Sequence, residues 1–308
     1  MRSLYSVMYL LKSLFLKLSP TRRLLLLMGV IVALMGIPDD EIQIFFGLLT
    51  LLFVLGLELK DKLIATDELA EGRSVQIALM PTKCPEISGW ETWLYTVPAN
   101  EVGGDLVDHL QVVPNRLALS LGDVAGKGLP AALMMAKLQA TIRAIAPLSS
   151  SLSELGTRLN DIVCRDGLPS KFASLVHLEI EEASGTVRFL NAGHPPPVVI
   201  RSKGVFELDR GSPAIGLSVH VSFREQSIEL EIGDMLVVYS DGLTEARNTI
   251  GRFYGEDRLM ELLGELRGMS ATDAGEFIVD SVGIFVRGAR PHDDLSIILI
   301  KRTADTVA

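Results

Sequence analysis

Four short motifs carry carboxylates beside glycine or beside one another: Gly103-Gly104-Asp105, Gly122-Asp123-Val124-Ala125-Gly126-Lys127-Gly128, Ser240-Asp241-Gly242 and His292-Asp293-Asp294. Aspartate is a short, hard oxygen ligand, and glycine lets the backbone come close to whatever the carboxylate holds. Carboxylates gathered from distant stretches of chain make an oxygen-rich site for Mg2+ or Mn2+. Two such ions about 3.5–4 Å apart, sharing a bridging carboxylate, activate water near neutral pH for in-line attack on phosphorus. A lone Asp-Gly after a strand is ordinarily a turn. Four such motifs in one chain, several at strand boundaries, point instead to a two-metal hydrolase built on Asp105, Asp123, Asp241 and Asp293.

Two glycine-bearing stretches invite other chemistries. Gly122 to Gly128 superficially suggests a phosphate-cradling P-loop. Only three residues separate Gly122 from Gly126-Lys127, and Gly128 stands where a Ser or Thr would be needed, so nucleoside triphosphate binding is excluded. In Asn191-Ala192-Gly193-His194-Pro195-Pro196-Pro197, His194 is either a proton donor or a hydrogen-bonded support for the loop.

These motifs need elements to position them. Arg116 to Leu121 alternates Leu to one face and reads as a strand ending on Gly122-Asp123. Gly128-Leu129-Pro130 opens a helix running toward Ile145, with proline in its first turn. Ser151 with Glu154 three residues on predicts a capped second helix, ended by Gly167. Hairpins are expected over Ser174 to Leu190 and Val198 to Leu208. Met235 to Tyr239 is a buried strand delivering Ser240-Asp241-Gly242, helices follow around Asp257–Leu266 and Thr272–Phe285, and Leu295 to Ile300 closes as a strand. Strands and helices in blocks argue for an α+β fold of antiparallel sheets covered by helices.

The 308 residues carry a net charge of −9, without the basic patch a nucleic-acid surface needs, so no nucleic-acid partner is expected. Cys84 and Cys164 follow no ligand spacing and read as free thiols. A mean hydropathy of +0.34 is high beside 22% charged residues, and the excess is local. Leu24 to Ile37 and Ile42 to Leu57 are apolar runs separated by Pro38-Asp39-Asp40-Glu41. They predict a helical hairpin in the lipid bilayer, each run somewhat short of the ~20 residues a full crossing takes. Arg2, Lys12, Lys17, Arg22 and Arg23 precede it, Lys60 and Lys62 follow, and the tip has no basic residue. Both flanks therefore fall in the cytoplasm, giving a two-pass protein of the cell's inner (plasma) membrane. Leu4, Val7, Met8, Leu11, Leu14, Phe15 and Leu18 recur at helical spacing, as an interfacial helix or as a face packed on the hairpin. The expected organisation is an amphipathic segment at 1–22, the hairpin at 23–59, a helical linker at 60–82 able to pair two copies, and a globular domain at 83–308.

Taken in order, GGD, GDVAGKG, NAGHPPP, SDGLTEA and HDD resemble the bacterial metal-dependent protein phosphatases (PPM family) of the stage II sporulation protein E type, over about residues 75 to 302. The resemblance implies two antiparallel sheets sandwiched between helices, two Mn2+ or Mg2+ ions at the sheet edge, and hydrolysis of phosphoserine or phosphothreonine on a small regulator such as an anti-sigma-factor antagonist. It implies that Asp105 holds one ion directly or through water, and that Asp123 bridges both with the Val124 carbonyl as a further ligand. Asp241 and Asp293 hold the other ion, and Asp294 is an alternative to Asp293. Gly104, Lys127 and His194 are candidate supports. Eukaryotic members carry a histidine where Ala125 stands, so water is left as the leaving-group acid. A catalytically idle, membrane-tethered module that sequesters a partner is the alternative, and a small-molecule phosphodiesterase a third.

Overall fold

The computed structural model describes residues 9, 12–13, 15–35, 41–166, 172–182 and 184–304. Pro38, Asp39 and Asp40 of the expected hairpin tip, most of the Leu4 to Leu18 repeat and the helix-ending Gly167 lie outside the described residues. Contacts divide the chain into two units, Met1–Ala70 and Glu71–Ala308.

The first unit contains α1 (Pro20–Met35) and most of α2 (Glu41–Leu79). The two helices pack through small residues: a Cβ on Gly47 would stand 2.5 Å from the backbone nitrogen of Ala33. Such close approach lets apolar helices associate where no water drives them together. Arg22 donates to Glu58 at 2.6 Å and pairs with Asp61 at 2.7 Å, fastening one end of the pair. Leu24, Ile31, Phe45, Phe46, Leu52 and Phe53 point outward. Among the described residues one helix, α2, is long and apolar enough to cross a membrane. It runs unbroken to Leu79, through most of the stretch expected as a separate linker.

The second unit is a four-layer sandwich. One sheet has the order β1-β10-β9-β6-β7, from β1 (Trp90–Val97), β10 (Leu295–Arg302), β9 (Met235–Tyr239), β6 (Val198–Arg201) and β7 (Gly204–Glu207). The other runs β2-β3-β4-β5-β8, from β2 (Asp105–Val113), β3 (Arg116–Val124), β4 (Ala173–Glu181), β5 (Thr186–Ala192) and β8 (Glu225–Glu229). The strand pairings within both sheets are antiparallel. The period-two pattern of β3 sends Leu117, Leu119 and Leu121 to the inter-sheet core, where they meet Val238, Ile298 and Ile300. The opposite face is covered by α3 (Leu129–Ile145) and α4 (Leu152–Arg165). The first sheet is covered by α6 (Glu256–Glu265) and α7 (Ala271–Val286), while α5 (Asp241–Thr244) is a single turn. Ser151 caps α4 as its spacing predicts, accepting from the Glu154 N–H at 3.1 Å. Arg143 on α3 grips the buried Asp108 of β2 with two bonds of 2.7 and 2.6 Å, tying that helix to the sheet. Cys84 and Cys164 are free.

Candidate metal centre

Asp105 opens β2, Asp123 lies next to the end of β3, and the antiparallel register sets the two directly opposite each other. Alternation places both on the face that carries Val107 and Leu121, toward the other sheet. Two like charges opposite each other weaken a strand pair, so the arrangement costs stability unless a cation offsets it. Asp241 follows β9 and Asp293 precedes β10, and those strands are neighbours in the other sheet. The four carboxylates thus come from the same end of both sheets.

Backbone contacts lock the turns that carry them. Ser240 donates its N–H to the Ser296 carbonyl at 2.9 Å, and its hydroxyl donates to the Asp294 carbonyl at 3.2 Å. Only glycine fits next: a Cβ on Gly242 would lie 1.9 Å from the Asp294 carbonyl oxygen. Asp294 accepts from the backbone N–H groups of Ala99 at 2.8 Å, Gly104 at 2.7 Å and Asp105 at 3.3 Å. Its carboxylate is therefore spent on holding the Gly103-Gly104-Asp105 turn. Asp293 is half-buried instead, and receives Lys127 at 2.9 Å, with the His292 carbonyl accepting from the same ammonium at 2.7 Å. Val124 donates its N–H to the Gly104 carbonyl at 3.3 Å, which holds the Asp123 and Asp105 turns together.

Sequence reasoning missed Gln76. Buried near the end of α2, it donates to the Gly103 carbonyl at 2.8 Å and accepts from the Gly103 N–H at 3.0 Å. One side-chain amide thus fixes both polar groups of the first glycine in the Asp105 motif. A glutamine on a helix carries no distinguishing sequence signal.

His194 joins the sheets. Its Nδ1 meets the Ser174 hydroxyl at 2.8 Å on one sheet, and its Nε2 donates to the Tyr239 carbonyl at 3.0 Å on the other. Burial pushes its pKa down to about 4, so the ring is neutral at physiological pH and both nitrogens are engaged.

The electrostatics fit bound cations. Burial, then the charge of Asp123, raises the Asp105 carboxyl well above the usual carboxylate range, and its Oδ2 is buried without a hydrogen-bond partner. Burial and the charges of Asp241, Asp293 and Asp294 raise Asp123 to about 7, against the lowering effect of Lys127. Asp241 is raised by burial, then by Asp293 and Glu245. Carboxylates that strain one another in this way are what a divalent ion relieves. Among the described residues no three Asp, Glu, His or Cys side chains form a ready-made ligand set by themselves. Ions held here would keep water in their coordination spheres, as Mg2+ ordinarily does.

A sequence profile of the Stage II sporulation protein E (SpoIIE) family matches residues 114–303, more than half of the chain. The chain belongs to the SpoIIE family. Protein IcfG of Synechocystis sp. is 27% identical over 263 residues, covering 76% of this SpoIIE-family chain but 41% of IcfG, so the chain spans about two-fifths of that relative. Phosphoserine phosphatase RsbU of Bacillus subtilis is 27% identical over 237 residues, covering 76% of this chain and 70% of RsbU. The SiaA-PP2C domain of Pseudomonas aeruginosa superposes with a TM-score of 0.68 at 20% identity, covering 79% of this chain and 99% of that domain. The sandwich is therefore the PP2C-type phosphatase fold, as the motif order implied.

Proposed function

We propose that this chain is a membrane-anchored protein phosphatase that removes phosphate from phosphoserine or phosphothreonine on a cytoplasmic regulatory protein. The observation that carries the reading is the convergence of Asp105, Asp123, Asp241 and Asp293 at one end of both sheets, with Asp123 raised to about 7 by burial and then by its charged neighbours, and Asp105 Oδ2 left without a partner. Membership of the SpoIIE family supports it, as does the similarity to RsbU, a phosphoserine phosphatase.

Two Mn2+ or Mg2+ ions bound here would supply the positive charge that activates water and stabilises the phosphoryl group. Asp123 would bridge them, with Asp105 and the Val124 carbonyl on one side and Asp241 and Asp293 on the other. Asp294 positions rather than binds, because its oxygens already accept three backbone N–H groups. Lys127, bonded to Asp293, is the cation placed to meet a phosphate oxygen once metals take over that carboxylate's charge. Ala125 gives no acid beside Asp123, so the departing serine or threonine oxygen takes its proton from water. His194, neutral and doubly bonded, supports the sheets.

The substrate class is a phosphorylated regulator such as an anti-sigma-factor antagonist. The apolar hairpin of α1 and α2 anchors the chain in the inner membrane in two passes, with both ends cytoplasmic, and the linker stretch at 60–82 pairs two copies. Phosphate release from phosphoserine peptides should require Mn2+ or Mg2+, and stop on chelation. It should fall to background in Asp123→Asn and in Asp241→Asn. Activity retained in both variants would refute the reading and favour an idle, partner-sequestering module.

A further inference from the structure

Beside Asp293 the domain has an apolar pocket of about 130 Å³. Val97 of β1, Ala246 after α5, Val282 and Val286 of α7 and Leu295 of β10 form its walls, and Gly242, His292 and Asp293 close the side toward the four carboxylates. An apolar cavity of roughly 150 Å³ takes up a benzene-sized group, so this one suits a single aliphatic side chain. Arg247 lines the same pocket. Its guanidinium lies 4.5 Å from the centre of the Phe253 ring, which holds it in place, and its Nε–H is buried without an acceptor.

An apolar socket and a wall shared with the candidate metal centre through Asp293 form one continuous surface. We propose that this pocket is a specificity subsite for the phosphoprotein substrate, taking an aliphatic side chain close in sequence to the phosphoserine. An extended chain advances about 3.3 Å per residue. Because Asp293 belongs to both the pocket and the metal centre, the aliphatic residue falls within a few positions of the phosphoserine. Side-chain burial of this kind gives specificity. The inference rests on the phosphatase reading above and adds what the site selects.

The test uses the full chain in detergent, with Mn2+, and two probes. One is p-nitrophenyl phosphate, which has no peptide segment to carry a side chain into the pocket. The other is a set of phosphoserine peptides with one leucine walked from three positions before to three after the phosphoserine in an alanine and serine background. The expected result is a preference of at least tenfold in kcat/KM for leucine at one position, carried by KM. Filling the pocket with Val286→Leu or Val286→Phe should abolish that preference, judged as the ratio of peptide to p-nitrophenyl phosphate turnover so that a folding defect cancels. Turnover of both probes with no positional preference, or a preference that survives Val286→Phe, overturns the subsite and leaves the phosphatase reading standing. An apolar small molecule that binds the pocket without competing with peptide also overturns it. No metal-dependent turnover of either probe overturns both.

Discussion

Asp123 sits where several electrostatic effects meet, and its behaviour with pH tests the centre without relying on catalysis. Its folded carboxyl is raised to about 7 from an ordinary 3.8. The metal-free folded state therefore binds more protons than the unfolded state between those values, and gains stability as pH falls through that window. Metal requires the deprotonated carboxylate, so acid works against binding. His177 and His194 act in the opposite sense: both are buried and lowered to about 4 from 6.5. Each favours the fold above pH 6.5 and withdraws that stability as pH falls toward 4, by about 3 kcal/mol per ring over the whole window. The histidine effect is common to protein with and without metal, so it cancels in the difference between them. The increase in Tm caused by saturating Mn2+ should be largest above pH 7 and shrink steadily from pH 7 to 5, as differential scanning calorimetry would show. An increment that is flat across that range would mean Asp123 does not compete for metal. The sequence left open which of Asp293 and Asp294 is the ligand. The different bonding of the two is visible only in three dimensions, because it depends on three N–H groups delivered to Asp294 from a stretch nearly 200 residues away.

At the scale of elements, the last turns of α2 hold the Asp105 motif in place, and two residues of that helix separate a strong effect from a weak one. Gln76 is buried and makes two bonds to Gly103. Arg73 reaches Glu101 at 3.5 Å with both side chains well exposed. Exposed pairs are worth about 0–1 kcal/mol, whereas positioning groups around a metal ligand typically affect affinity about 10–100-fold. Gln76→Ala should therefore raise the Mn2+ concentration for half-maximal activity by about 10–100-fold, and Arg73→Ala should leave it within about twofold. Titrating Mn2+ against phosphate release decides this, and equal responses from the two variants would remove Gln76 from the metal centre. Neither effect was legible in the sequence, since a glutamine and an arginine on a charged helix look alike. The same limit hid β1 and β2. In β2, Asp105 and Asp108 are buried polar residues inside a strand, one facing the other carboxylates and one gripped by Arg143, so the apolar alternation that reveals β3 is broken. In β1, intermediate burial along Glu91 to Thr96 leaves no clear face. By contrast, the Ser151 cap and the Leu-rich alternation of β3 were readable because their determinants lie within a few residues of one another.

For the whole molecule, the two units differ in what they need from their surroundings. Glu71–Ala308 contains both sheets, the cores between and outside them, and every carboxylate of the candidate centre. Met1–Ala70 leaves large apolar side chains such as Phe45, Phe46, Leu52 and Phe53 facing outward, a surface that water does not favour and a bilayer does. The full chain should stay with membranes after high salt and alkaline washing, while a fragment beginning at Glu71 should be soluble and retain Mn2+-dependent turnover of p-nitrophenyl phosphate. The point of truncation adds a sharper test. Cutting at Lys83, the boundary that composition suggests, removes Gln76 and also the Leu79 carbonyl, which accepts from Gln139 of α3 at 2.7 Å. That shorter fragment keeps all four carboxylates of the candidate centre and both sheets, yet loses the helical turns that fix Gly103. Its Mn2+ requirement should rise by about 10–100-fold relative to the Glu71 fragment, with a far-ultraviolet circular dichroism spectrum that still shows the sandwich. If the two fragments titrate alike, the end of α2 is a mere covering and the Asp105 turn holds its shape through Asp294 alone. A difference between them makes the helix leaving the apolar unit part of the catalytic domain, and moves the functional boundary of that domain to before Gln76.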